Sequence, residues 1–363
     1  MASIAKRSDG VWRARYRDAA GREHSKHFDR KVDAQRWLDE TTAAVVTGRY
    51  VDPRAGKVTF RAYAEQWRTS QIHRVNTVRA VDSALRVHAY PAFGDRPLSS
   101  IRPSEIQTFV RGLSDRLSAA STATVYQHVR AVFRAAEHDR LIASSPCVRV
   151  VLPKRQRALI EPLTTEHVLA IASAMPVHLS AMVTLMAGTG LRPGEAAGVT
   201  LDRLDLLRRV VRVDRQMLNT RLPTFGPPKT DASIWTVPLP QVVCEALAAH
   251  LAHFPAADGL VFHELDGRPL HRDLAMRSYR RAVIAAGAPD GARLHDLRHY
   301  YASLLIRHGS SVKVVQARLG HASAKETLDV YGHMWPDSED LTRAAVDEEL
   351  GAAADSLRTA EGS

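Results

Sequence analysis

Two short polar breaks constrain this chain more than any other feature. Val51 to Lys57, carrying Pro53 and Gly56, and Pro153 to Arg157, reading PKRQR, interrupt the hydrophobic pattern. The stretch between them has helical period and no strand alternation. A chain of 363 residues exceeds one ordinary core, so the breaks are read as domain boundaries. They give segments 1–50, a linker at 51–57, 58–150, a second linker at 151–160, 161–335, and a tail at 336–363.

Residues 11 to 17 alternate strictly, with Trp12, Ala14 and Tyr16 on one face and Arg13, Arg15 and Arg17 on the other, the period of a half-buried strand. Asp18 to Gly21 supplies a turn, and Arg22 to Phe28 a second strand with further cations at Arg22 and Lys26. Asp29 is placed to cap a helix running to about Thr47, with Val32, Trp37, Leu38 and Val45 as its buried side. The expected unit is a small sheet backed by one helix. An arginine row is an ordinary solvated face, but eight Lys and Arg against four Asp and Glu in the first 30 residues favour phosphate contact.

In the middle segment Thr59 is placed to cap a helix with Phe60, Tyr63 and Trp67 on one side. Asn76 begins a second that ends near Pro91, a third follows Pro103, and a fourth runs from about Thr122 to Arg140. An all-α bundle is expected, its polar faces holding Arg79, Arg86, Arg111, Arg130 and Arg134. Singly these are solvated arginines; together they suit a polyanion. The whole-chain balance agrees: 50 Lys and Arg against 39 Asp and Glu give net +11 and a pI near 9.9, which favours nucleic acid, although a basic proteome gives the same number. Forty-two of these cations are Arg and eight are Lys.

The cysteines, Cys147 and Cys244, form no metal or redox spacing and are expected as reduced structural thiols of a cytoplasmic protein. The N-terminus has no apolar signal region, and the longest apolar run, around His178 to Leu191, is broken by glycines and too short for a bilayer. No membrane association is expected.

In the third segment a helix from Thr164 and a buried apolar helix lead into TGLRPGEAAGV, where Thr189 and Gly190 turn the chain and Pro193 suits a first helical turn. Val210 to Val213 reads as a short strand, and PPKTDASIWTVPL as a hairpin with Lys229 near its tip. Towards the C-terminus, LHDLRHYYAS sets His295 and Arg298 one turn apart on one helix face. His321 follows in a Gly-His turn, and Tyr331 in TLDVYGHM comes ten residues later. Cations, two imidazoles and a phenol gathered this way suit attack on a phosphodiester, with the tyrosine as nucleophile. Such attack needs fixed positive donors and a proton source, because the phosphoryl oxygens repel a nucleophile and the alkoxide leaves badly.

With Arg192 in TGLRPGE, Lys229 in the KT motif, His295 and Arg298 in HDLRH, His321 in LGH, and Tyr331, the sequence resembles the tyrosine recombinases, or phage integrase family. Six chemically distinct positions stand in the family's order across about 140 residues. One position departs: Trp235 stands where the hairpin motif often has arginine, which bears on that hairpin's local contact. The resemblance implies a mainly α multidomain chain: a small N-terminal β-sheet plus helix that binds arm-type DNA sites, a helical core-binding domain, and a mixed α/β, mostly α, catalytic domain.

It also implies roles. Arg192 and Arg298 would grip the non-bridging oxygens, as a guanidinium fork does well. Lys229 would protonate the departing 5′ oxygen, His295 would be an acid/base and His321 a phosphate donor, while Glu195 orients a catalytic side chain. Tyr331 would form a 3′-phosphotyrosine, with no ATP, metal or other cofactor. Its phenol, ordinarily with a pKa near 10, is ionised in roughly one molecule per thousand at neutral pH and so needs a base or nearby cations. Tyr300 and Tyr301 are read as packing residues. Arg13, Arg15, Arg17, Arg22, Lys26, Arg79 and Arg130 are the expected DNA contacts. The expected partners are double-stranded DNA with core-type and arm-type attachment sites, three further protomers in a homotetramer, a host DNA-bending protein and an excision factor.

Three other readings compete. His295 and His299 at i and i+4 resemble a zinc-protease helix, but Asp296 replaces the required Glu, and Arg192, Lys229 and Tyr331 would have no role. A DNA-binding relative without catalysis conflicts with six filled positions. A type IB topoisomerase shares the phosphotyrosine chemistry, but not a bipartite N-terminal DNA-binding region.

Overall fold

The computed structural model describes residues 2–17, 21–46, 52, 55–154, 160–220, 222–228, 234–335, 343–344 and 346–351. The turn expected at 18–20, the helix end at Thr47, the hairpin tip with Lys229 and most of the acidic tail lie outside the described residues. The chain divides into two compact units, Met1–Arg157 and Ala158–Ser363.

The first unit begins with an antiparallel sheet of β1 (Ser3–Lys6), β2 (Trp12–Arg17) and β3 (Glu23–Phe28), in that order, covered by α1 (Lys31–Val46). The alternation in β2 works as expected: Ala14 and Tyr16 are buried with Ala34 and Leu38 of α1, and the arginines face away. Strand β1 was not expected, because its four residues carry one large apolar side chain, Ile4, which pairs with Ala14 on the core face. Val32, expected on the buried side of α1, is 55% exposed, and Ala34 takes the inward position.

Four helical stretches then build the bundle. They are α2 (Phe60–Ser70), α3 (Val75–Ser83) running through a wider-wound segment Ala84–Ala89 into α4 (Tyr90–Phe93), α5 (Pro103–Ser114) and α6 (Ala119–His138). Thr59 caps α2 as its sequence suggests, its Oγ1 accepting the Ala62 N–H at 3.3 Å. Phe60 is fully buried, its ring 5.1 Å from Phe133 and 6.0 Å from Phe93 between centroids.

In the second unit α7 (Thr165–Ala174) packs on α8 (Val177–Thr189), the apolar centre of the core, and α9 (Pro193–Ala197) follows after a turn. Strands β4 (Leu204–Asp205), β5 (Val210–Val213), β6 (Gln216–Leu218), β7 (Thr224–Gly226) and β8 (Trp235–Pro238) come next. The expected hairpin falls largely outside the described residues; among those described, β8 runs antiparallel to β5, and β7 pairs with β6. The periodicity of WTVP is that of a strand either way, and only tertiary packing chooses its neighbour. Helices α10 (Gln241–His253), α11 (Arg272–Ala285), α12 (Asp296–Arg307), α13 (Val312–Leu319) and α14 (Ala324–Tyr331) complete the unit, with α10 and α12 against α8. Tyr300 and Tyr301 pack inside, as expected, and both cysteines are buried free thiols. Among the described residues no helix is long and apolar enough to cross a membrane.

Phe60→Ala should cost the bundle about 3–5 kcal/mol, read as a lowered urea midpoint; a loss below about 1 kcal/mol would show that these rings are not its centre.

Candidate active site

The site is built at helix ends of the second unit. α8 stops at Gly190, whose φ of 68° is left-handed; a Cβ there would lie 2.5 Å from the Tyr301 ring, so only glycine fits. The chain then turns, and Arg192 becomes the N-cap of α9 with Pro193 at the first helical position. A cation at the positive end of a helix calls for an anion, and Glu195 supplies it. Its carboxylate, 2% exposed, accepts the Arg192 backbone N–H at 2.8 Å and the Arg192 Nη1 at 2.8 Å. The Glu195 carboxylate thus holds both the backbone and the side chain of Arg192.

Arg298 lies in the first turn of α12 and is 1% exposed. It makes no pair with Asp296, whose carboxylate instead accepts the Arg293 N–H at 2.7 Å. Its Nη1 donates to the Gly190 carbonyl at 2.7 Å and its Nη2 to the Leu319 carbonyl, the C-terminal ends of α8 and α13. Two of its five N–H donors are thus held by backbone carbonyls. Gly320, with φ 60°, ends α13 and presents His321. The Trp235 ring lies against this glycine, 3.0 Å from where a Cβ would sit. The residue that departs from the family pattern thus buttresses the turn bearing His321.

His321 is fixed by Thr327, its Nδ1 being 2.9 Å from the buried Oγ1. Tyr331 ends α14 at 1% exposure, with its Oη 2.7 Å from His299 Nδ1. The phenol's partner is therefore His299 rather than His295, the expected acid/base, whose ring stands edge-on to His299 at 5.0 Å. Among the described residues no three His, Cys, Asp or Glu side chains converge as metal ligands, and His299 spends one ring nitrogen on Tyr331.

Burial dominates the titration. It lowers His295 to about 4 and His321 to about 3, with the arginines adding in the same direction. It raises Tyr331 to about 12 although Arg298 and Arg192 pull the other way, and lowers Arg298 to about 10. Arg192 and Arg298 are thus within electrostatic reach of His295, His321 and Tyr331. Lys229 lies outside the described residues.

Sequence reasoning passed over His299, except as a metal ligand, and Thr327. Helical spacing offered a signal for Thr327, four residues before Tyr331 on the same face of α14.

The remaining candidates lie in the first unit. Arg13 and Arg15 project together from β2 and share Glu23 at 3.7 Å each. Arg17 and Arg22 are exposed, as are Arg79 on α3 and Arg130 on α6. Lys26 does not extend the β2 row: it pairs with Ala14, on the opposite face, with its Nζ 5.3 Å over the Phe28 ring. His27 and Ser25, the partners of Arg13 and Arg15, line the arginine face instead.

The neutral imidazoles set a pH dependence. The unfolded chain takes up these protons near pH 6.5 and the folded chain only near 4 and 3. Stability therefore falls as pH drops below about 6.5, because the unfolded state binds more protons. His321→Gln should flatten the decline of melting temperature between about pH 6.5 and about 4; an unchanged slope would mean that His321 is protonated in the folded state.

Comparison with known proteins agrees with this geometry. Residues 159–336 match the phage integrase family, and residues 60–153 the phage integrase central domain. The chain is 28% identical to the prophage phiRv2 integrase of Mycobacterium tuberculosis over 88% of each sequence. Its fold is similar to that of the Tn1549 transposon integrase in complex with a circular intermediate DNA, with TM-score 0.70 and 22% identity, covering 80% of this chain and 99% of that one. It is also similar to lambda integrase in a tetramer bound to a Holliday junction, with TM-score 0.62 and 20% identity over 93% and 95% of the two chains. With the two family matches spanning both the helical bundle and the unit that gathers Arg192, Arg298 and Tyr331, this chain belongs to the phage integrase family of tyrosine-type site-specific recombinases.

Proposed function

We propose that this site-specific DNA recombinase cleaves and rejoins duplex DNA through a 3′-phosphotyrosine on Tyr331, integrating and excising a mobile element or phage genome. The observation that carries the reading is a buried Tyr331 phenol within the electrostatic reach of two guanidiniums, Arg298 and Arg192, which pull its pKa down against the effect of burial. Arg192 and the remaining donors of Arg298 bind the non-bridging oxygens, and the neutral rings of His295 and His321 offer N–H donors to the same phosphate. Lys229 protonates the departing 5′ oxygen, in keeping with the family resemblance. The freed 5′ hydroxyl of the partner strand then attacks the phosphotyrosine, so the bond energy is kept and no nucleotide cofactor is consumed.

Residues 58–150 and 161–335 grip a core site, with Arg79 and Arg130 among the phosphate contacts. Residues 1–50 take arm sites through Arg13, Arg15, Arg17 and Arg22. Two duplexes, each cut twice, require four protomers, and a host DNA-bending protein and an excision factor complete the assembly. A bacterial cytoplasm or nucleoid is the fitting location. A topoisomerase or a purely DNA-binding role is less well supported, because neither accounts for both a filled site and a separate arginine-bearing sheet.

Tyr331→Phe should bind a core-site duplex as wild type does yet form no covalent adduct on a nicked suicide duplex; an adduct from this variant would contradict the nucleophile assignment. Deleting residues 1–50 should spare cleavage and impair integration, and full integration without them would remove the arm-site role. Binding should weaken with salt at a log-log slope of about 0.9 per neutralised phosphate.

A further inference from the structure

The hydrogen bond at the nucleophile points to a proton acceptor outside the six motif positions. Tyr331 Oη and His299 Nδ1 are 2.7 Å apart with their ring centroids at 5.6 Å. A phenol has one proton to place and a neutral imidazole has one acceptor nitrogen. At 1% exposure the phenol has no other acceptor among the described residues. The phenol therefore donates, and His299 holds the tautomer with Nδ1 bare. The other two imidazoles are placed differently: His321 commits its Nδ1 to Thr327, and His295 meets His299 edge-on.

We propose that His299 accepts the Tyr331 proton in the cleavage step and returns it on rejoining. As the Oη–P bond forms, the Oη–H bond breaks and its proton passes to Nδ1. The P–O5′ bond then breaks, with the 5′ oxygen protonated from the leaving side. In the reverse direction the 5′ hydroxyl returns its proton to the group that had protonated it and attacks phosphorus, the P–Oη bond breaks, and the departing phenolate retakes the proton from the imidazolium. No redox partner or cofactor enters the balance. The groups facing His299 are His295, Asp296 and Arg298 on its own helix, Tyr331 on α14 and His321 in the turn before α14. Asp296 favours the imidazolium and Arg298 opposes it, and burial keeps the resting ring neutral and able to accept.

This proposal rests on Tyr331 being the nucleophile, and the test separates the two. Single-turnover adduct formation on a nicked suicide duplex is measured for the full chain, alongside duplex binding and melting temperature. The variants are wild type, His299→Gln, and each with a fluorinated, more acidic tyrosine at position 331. Glutamine can accept the hydrogen bond but cannot take the proton. His299→Gln should bind normally and form adduct about 100-fold more slowly, the low end for loss of a general base. The acidic tyrosine should restore most of that loss, and the variant's rate should climb with pH where wild type has levelled off. A rate within about threefold of wild type, or a deficit that the acidic phenol leaves unchanged, would overturn the proposal. Added imidazole restoring rate to His299→Gly would support it even if the glutamine variant folded poorly. No adduct from wild type would overturn the nucleophile reading and this proposal with it.

Discussion

The Arg298 guanidinium is the tie on which the site depends. Burying a cation costs several kcal/mol unless its donors are met, and here the compensation comes from two helix C-termini, whose carbonyls carry the negative ends of their dipoles. The Gly190 carbonyl closes α8 and the Leu319 carbonyl closes α13. Two turns distant in sequence, one leading to Arg192 and one to His321, are thereby held by a single side chain. Each turn relies on a left-handed glycine, Gly190 against Tyr301 and Gly320 against Trp235. The positions of Arg192 and His321 follow from this arrangement.

The same burial fixes the protonation of everything around it. The imidazoles are neutral near pH 7, the phenol stays protonated, and Arg298, lowered only to about 10, stays charged. Glu195 offsets part of the site's positive charge directly, through its pairing with Arg192. On the proposed mechanism an incoming phosphodiester supplies a further anion, which the donors already in place would stabilise. A protonated, enclosed phenol such as that of Tyr331 is a poor nucleophile at rest, and on the proposed mechanism its hydrogen bond to His299 is the way its proton leaves.

Much of this was legible in the sequence where a period or a turn carried the information. The alternation in Trp12–Arg17, the Thr59 cap and the Gly190–Pro193 turn follow from local chemistry. What was not legible depends on tertiary neighbours. Strand β1 has too few apolar residues to announce itself, and β8 takes β5 as its partner only because the two meet in the fold. Lys26 changes face relative to the arginine row because register, not charge, decides direction. His299 is one of 17 histidines, and nothing in HDLRH says which imidazole faces a tyrosine 32 residues away.

The most direct measurement is mass-spectrometric sequencing of the peptide that remains linked to DNA after trapping on a core-site duplex. Linkage through a 3′-phosphate to the Tyr331 oxygen is the expected result. Linkage at any other side chain, or through a 5′-phosphate, would contradict the assignment of the nucleophile and the polarity of cleavage.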